Sequence, residues 1–176
     1  MPLLETMSKT HEDYMNLCLD LAAKSPPKPS NYRVGAVLVS AASNEILATG
    51  YTLELPGNTH AEQCALAKFA EQHNLSEEHA GEALSAELDA VIYTSMEPCF
   101  ERLSGNLPCA DRIVRTRTTG DGKGIRRIYT GVSEPDTFVK RNEAKKKLED
   151  AGIEVVHVPG FEKTTVDIAT AGHAKG

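Results

Sequence analysis

The sequence predicts an α/β fold, a three-layer α/β/α sandwich around a mixed five-stranded sheet. Three observations carry that expectation. Tyr14, Leu17, Cys18, Leu21 and Ala22 recur at the spacing of one helix face. Short runs rich in Val, Ile, Thr and Tyr, bounded by Gly, Pro, Asn and Ser, supply strands. Beyond the first two strands, helical and strand-like segments alternate, which places helices against a sheet.

The elements follow in order. Thr6–Lys24 reads as a helix, ended by Ser25-Pro26-Pro27-Lys28-Pro29, because proline lacks the backbone donor and constrains its predecessor. Val34–Ser40 and Glu45–Tyr51 read as strands, joined through Ala41–Asn44 as a hairpin. Leu53–Asn58 is a loop around Pro56-Gly57. His60–Gln72 is rich in Ala, Leu, Gln and Lys and reads as a helix. Asn74–Glu87 is acidic and irregular. Ala90–Ser95 is a short buried strand, Glu97–Pro108 a loop and Ala110–Arg115 a helix. Thr116–Gly124 is a glycine-rich exposed loop, Arg127–Val132 a strand, Thr137–Ala151 a charged helix and Ile153–Val158 a strand. A crossover helix precedes the last strand, which should therefore lie parallel to its predecessor. The stretch after Pro159 has little to bury, and its sequence leaves open whether it folds over a pocket or hangs free.

Composition narrows the classes. At 176 residues with 40% apolar and 25% charged side chains, the chain is long enough for one domain with a real core, which excludes collagen, a disulfide miniprotein and a wholly disordered polymer. No apolar run approaches the 18 or so residues that span a bilayer, so no membrane partner is expected. Met7–Tyr14 is polar and charged, unlike the apolar centre of a secretory leader. The 4 cysteines then point to a reducing compartment, the cytoplasm with the nucleus left open. A net charge of −6 disfavours a nucleic-acid partner, since phosphate backbones call for excess Lys and Arg.

The chemistry concentrates in His60-Ala61-Glu62, Pro98-Cys99 and Cys109. One imidazole and two thiolates suit Zn²⁺, and three protein ligands leave the fourth tetrahedral position for water. Bound Zn²⁺ brings the pKa of that water toward about 7. Glu62 is then the proton carrier between water and a leaving amine, not a ligand. Residues i and i+2 of a regular helix diverge by about 200°. His60 and Glu62 can therefore share a metal only in the first turn, where the chain enters the helix. Cys109 follows Pro108, a residue favoured at helix starts. The metal is expected where two helix N-termini converge, since their dipoles favour thiolate.

His-x-Glu with Pro-Cys and a later Cys resembles the zinc-dependent cytidine deaminase superfamily. The usual second half is Pro-Cys-x-x-Cys, whereas here a longer insertion separates Cys99 from Cys109. Such an insertion resembles the pyrimidine deaminases of riboflavin biosynthesis. Thr94-Ser95-Met96-Glu97-Pro98-Cys99, Asn106-Leu107-Pro108-Cys109-Ala110-Asp111 and Asn31-Tyr32-Arg33-Val34-Gly35 are similar to that branch. Gly50-Tyr51 through Leu55–Gln63, and Gly131–Val139, are similar to its fungal form. The likeness runs from about Glu12 to Gly160. It implies a cytidine deaminase-like fold, a single deaminase domain over residues 1–160 and a tail over 161–176.

The resemblance also implies a reaction. Water replaces the 2-amino group of 2,5-diamino-6-(ribitylamino)-4(3H)-pyrimidinone 5′-phosphate and ammonia leaves. The residues after Pro159 are too few for a nucleotide-binding reductase, so the expectation is that reduction comes from another protein. A homo-oligomer, a dimer first, is implied in the same way. The alternatives are a deaminase of another nucleobase, nucleotide or tRNA adenosine, and a non-catalytic zinc-binding interaction module. An intact Glu62 and an open ligand position argue against the last.

Candidate substrate contacts are Asn31, Asn58, Glu97, Arg102, Ser104 and Asn106. Asn31 matches the family's ribose- or pyrimidine-contacting position, and Asn58 lies two residues before His60. Turn formation is the other reading of both. Glu97 is a candidate acceptor for a ring N–H, or else a strand-end charge. Arg102, Ser104 and Asn106 sit in the loop bounded by the cysteines, where Arg suits a phosphate, against a simply solvated loop. Cys64 shares the face of His60 and is either a fourth ligand or a packing residue. Cys18 is core by its helical spacing. Arg112, Arg115, Arg117, Lys123, Arg126 and Arg127 form a basic stretch, either a phosphate attractor or a solvated surface.

Overall fold

The computed structural model describes residues 8–102, 104–117, 121–132 and 143–173. Five strands form one sheet in the order β2-β1-β3-β4-β5, with β1 Gly35–Ser40, β2 Glu45–Tyr51, β3 Ala90–Thr94, β4 Arg127–Thr130 and β5 Glu154–His157. β1 is antiparallel to β2 and β3, whereas β3, β4 and β5 run parallel. The sheet is thus mixed, and the parallel relation expected of the last strand is present.

Alternation of side chains along each strand splits the core in two. Val37, Val39, Val91, Tyr93 and Tyr129 face one side, which α1 (His11–Lys24) covers with Tyr14, Cys18 and Leu21. Ala36, Leu38, Ala90, Ile92 and Ile128 face the other, beneath α2 (Ala61–Gln72), α3 (Cys109–Arg115) and α4 (Ala144–Asp150). β1 and β3 are buried along their whole lengths, because they are interior strands covered on both faces. Gly35 and Gly50 permit the close approach of the helices. A Cβ on Gly35 would overlap the Cys18 carbonyl of α1, and one on Gly50 the Ala61 carbonyl of α2.

The three-layer expectation holds, and the differences are local. α1 begins at His11, because Thr10 Oγ1 accepts from Asp13 N–H at 3.2 Å while Asp13 accepts from Thr10 N–H at 2.8 Å. That capping box stops the helix short of the expected start, and Thr6 lies outside the described residues. Asn74–Glu87 contains two 3₁₀ segments, Glu77–Glu82 and Ala86–Leu88. The first part of the expected helix Thr137–Ala151 and most of the Gly131–Val139 string lie outside the described residues.

The largest difference follows Pro159. This stretch forms α5 (Glu162–Ala169), with Thr165 and Ala169 buried against the rest of the chain. Its packing surface is made of small residues, which a search for large apolar side chains passes over. Arg33 N–H donates to Ala169 O at 3.0 Å, and the Arg33 guanidinium donates to Ala23 O at 2.6 Å, Ser25 O at 2.8 Å and Ile168 O at 3.4 Å. One side chain therefore supplies donors to carbonyls at the C-terminal ends of both α1 and α5, where helices leave carbonyls unpaired. Among the described residues no helix is long and apolar enough to cross a membrane.

Candidate active site

The site lies at the C-terminal end of β3, where α2 and α3 begin. His60 is the N-cap of α2, with extended backbone at φ −96° and ψ 161°, and Glu62 is two residues on in the first turn. The divergence of i and i+2 in a regular helix does not apply to a residue that is not yet helical. Cys109 is the first residue of α3, after Pro108 at its N-cap. Cys99 lies on the loop between β3 and α3. The two helix starts converge as the motif requires.

His60 Nδ1 lies 3.6 Å from Cys99 Sγ and 3.5 Å from Cys109 Sγ, and all three ligand atoms fall within 4.8 Å of one another. Zn–S bonds of about 2.3 Å and Zn–N bonds of about 2.0 Å meeting tetrahedrally hold S and N about 3.6 Å apart. The residues present fit zinc. Cys64 is not in the cluster. Its side chain is buried where Gly50 of β2 approaches α2, so its packing role stands.

The cysteines are held electrostatically as well. Cys109 N–H donates to Cys99 Sγ at 3.2 Å, and Ala110 N–H donates to Cys99 O at 3.0 Å. The Cys109 thiol shares its proton with Cys99, which pushes Cys99 down to about 4, helped by the imidazole of His60. Cys109 moves up for the same reason, together with its burial. Glu62 is 3 % exposed. Burial, and then the charge on Cys99, raise its carboxyl above the usual carboxylate range. Thr94 Oγ1 lies 2.9 Å from Glu62 Oε1 and 2.8 Å from Met96 O. A hydroxyl has one hydrogen and a carbonyl only accepts, so Thr94 donates to one of these oxygens at a time.

These groups open on a cavity of about 230 Å³ lined by His60, Glu62, Cys99, Asn31, Asn58 and Glu97 among others. Arg102 and Ser104 also line it. Asn31 Nδ2 donates to Asn58 Oδ1 at 3.0 Å. Arg102 donates to Gln63 Oε1 at 3.2 Å and to Asn58 O, and its buried Nε has no hydrogen-bond partner among the described residues. Asn106 is exposed and outside the lining, with its backbone N–H 3.4 Å from Ser104 Oγ. The basic stretch is elsewhere: Arg112 and Arg115 pair with Glu77, Arg126 with Asp89 and Arg127 with Glu154. None of its six cations lines the cavity. Four of the six are thus paired with acids away from this cavity.

Residues 8–120 match the model of the cytidine and deoxycytidylate deaminase zinc-binding region. The chain belongs to this zinc-binding deaminase family. Zinc is its cofactor, with His60, Cys99 and Cys109 standing as candidate ligands. Over 163 residues, 93% of its length, it is 38% identical to the diaminohydroxyphosphoribosylamino-pyrimidine deaminase of Schizosaccharomyces pombe. It spans 36% of that relative's length. The Rib2 deaminase of Aspergillus oryzae, solved as a C-terminal deletion mutant at pH 4.6, superposes with a TM-score of 0.87 at 49% identity, covering 95% of this chain and 94% of that one. The same deaminase in complex with DARIPP gives a TM-score of 0.84 at 48% identity, covering 93% and 91%. A deaminase/reductase from Thermotoga maritima gives 0.69 at 26% identity, covering 92% of this chain and 40% of that one.

In this member of the family, sequence reasoning missed Ser30, Tyr32, Val34, Thr52, Met96 and Glu101, which also line the cavity. It missed the contact from Thr94 to Glu62 too. Tyr32, Val34, Thr94 and Met96 fall inside the family-like strings, which was the available signal. No spacing rule marks Thr52, whose hydroxyl accepts from Val34 N–H at 3.0 Å and ties β2 to the cavity wall.

Proposed function

We propose that this chain hydrolytically removes the 2-amino group of 2,5-diamino-6-(ribitylamino)-4(3H)-pyrimidinone 5′-phosphate, a step of riboflavin biosynthesis. The observation that carries the proposal is buried Glu62 beside the His60–Cys99–Cys109 cluster, with Glu62, His60 and Cys99 lining one cavity of a chain 48% identical to a deaminase crystallised with DARIPP. In the reaction, water adds at the ring carbon bearing the amine, the C–N bond breaks, and a carbonyl and ammonia result.

His60, Cys99 and Cys109 hold zinc, which supplies the Lewis acidity that makes water nucleophilic near neutral pH. Glu62 takes the proton released by water and returns it to the departing nitrogen. Its dry, partly anionic surroundings favour holding that proton between the two transfers. Thr94 fixes one carboxyl oxygen of Glu62, so the other is presented to the reacting atoms. Asn31, Asn58 and Glu97 supply donors and acceptors for the polar edge of the pyrimidine. Arg102 supplies a cation for the phosphate, supported by its buried, unpartnered Nε. Ser104 lies beside it on the cavity rim.

The reading includes a single deaminase domain over residues 1–160, a homodimer and a cytoplasmic setting. Family likeness and the free cysteines, Cys18, Cys64, Cys99 and Cys109, support these. A substrate panel tests the activity. The ribitylamino pyrimidinone phosphate should release ammonia with no nicotinamide cofactor, while cytosine, guanine and tRNA should not. Turnover confined to those other substrates would overturn the proposal.

A further inference from the structure

We propose that the C-terminal segment 168–173 is a strap that holds the substrate cavity's wall, with His173 as a positioning residue acting through Asn31. The wall is the short irregular stretch between α1 and β1, of which Ser30, Asn31, Tyr32 and Val34 line the cavity. It has no ladder of its own. The Asn31 N–H contact to Lys28 O is long, 3.5 Å, so more distant contacts help to fix the stretch.

Val34 is tied to Thr52 of the β2 end and Arg33 to Ala23 O and Ser25 O of the α1 end, and further contacts come from the end of the chain. Arg33 binds Ala169 O and Ile168 O. Beyond the helix, His173 Nε2 lies 2.9 Å from Asn31 O. A carbonyl only accepts, so Nε2 carries the hydrogen and donates. The His173 ring also rests against Tyr32, with centroids 5.1 Å apart. Gly172 runs so close to Pro27 and Lys28 that a Cβ would overlap their backbone, which sets where His173 emerges.

The strap's effect reaches the metal site by a short route. His173 fixes the Asn31 backbone, the Asn31 side chain donates to Asn58 Oδ1, and Asn58 precedes His60 by two residues. α5 is already anchored by Arg33 and its buried Thr165 and Ala169. His173 lies past that anchor, so its bond bears on the wall more than on the stability of the fold.

The kinetic arm of the test rests on the proposed activity; hydrogen exchange does not. His173→Ala should raise KM for the ribitylamino pyrimidinone phosphate about tenfold, the equivalent of about 1.4 kcal/mol. It should leave kcat within about twofold and zinc content unchanged. The amides of residues 31–34 should exchange faster in zinc-loaded protein, while those of β3 keep their wild-type rates. His173→Gln, whose amide nitrogen reaches the same position, should restore both. Gly172→Ala keeps the imidazole but crowds the segment off Pro27 and Lys28, and should reproduce the His173→Ala phenotype. Unchanged exchange at 31–34 in His173→Ala and Gly172→Ala overturns the strap. Faster exchange with unchanged KM overturns the positioning role. If wild-type protein does not turn over this substrate, the proposed activity fails, and exchange alone decides the strap.

Discussion

Cys99 and Cys109 at the metal site, and Cys18 in the core under α1, are the same residue type in nearly equal dryness. Exposure is 6 % for Cys99 and 0 % for both Cys109 and Cys18. Cys99 and Cys18 are nevertheless displaced in opposite directions. Cys99 receives an N–H, a shared thiol proton and a neighbouring imidazole, and its thiol is pushed down to about 4. Desolvation dominates at Cys18, whose thiol is pushed far up. Burial alone makes an inert cysteine. Burial among convergent donors makes a ligand.

Breaking the metal side should give the largest effect. Cys109→Ala should lose zinc and activity together, with turnover down more than about a thousandfold; elemental analysis beside the ammonia assay checks this. Retained metal with retained turnover would place the site elsewhere. Glu62→Gln comes next. It should keep zinc and lose about 10²- to 10⁴-fold in turnover, because general acid–base groups contribute factors of that size.

Thr94→Val sharpens the contrast on a smaller scale. Removing the hydroxyl leaves Glu62 Oε1 without its 2.9 Å partner, and kcat should fall about tenfold with zinc intact. Thr94→Ser should recover most of it; an unaffected valine variant would remove Thr94 from the machinery. On the core side, Cys18→Ala should leave kcat and zinc unchanged. It should cost about 1 kcal/mol of stability in urea unfolding, as for a small cavity in a packed core.

Much of this division was legible beforehand. His60, Glu62, Cys99 and Cys109, which the fold brings together, could be singled out as candidates because metal chemistry restricts residue type and spacing together. The sheet could be drawn because interior strands such as Val91-Ile92-Tyr93 are apolar throughout. Contacts that depend on backbone carbonyls were not legible. Arg33 and His173 both donate to carbonyls, and any residue supplies a carbonyl. The role of the basic run from Arg112 to Arg127 stayed open in the sequence for the complementary reason. Its acids, Glu77, Asp89 and Glu154, are distant in sequence and meet it only in the folded chain. α5 was missed because its buried surface is made of Thr165 and Ala169, not of large apolar side chains.

Gly50 has a consequence beyond packing. The Ala61 carbonyl and the Ala65 amide of α2 occupy the space a side chain would take there. How deep His60 and Glu62 sit is therefore set from below by a missing methyl group, on a residue outside the cavity lining. A methyl at that position would act as a shim under the helix, raising His60, one of the three candidate ligands, together with Glu62 while Cys99 and Cys109 stayed in place.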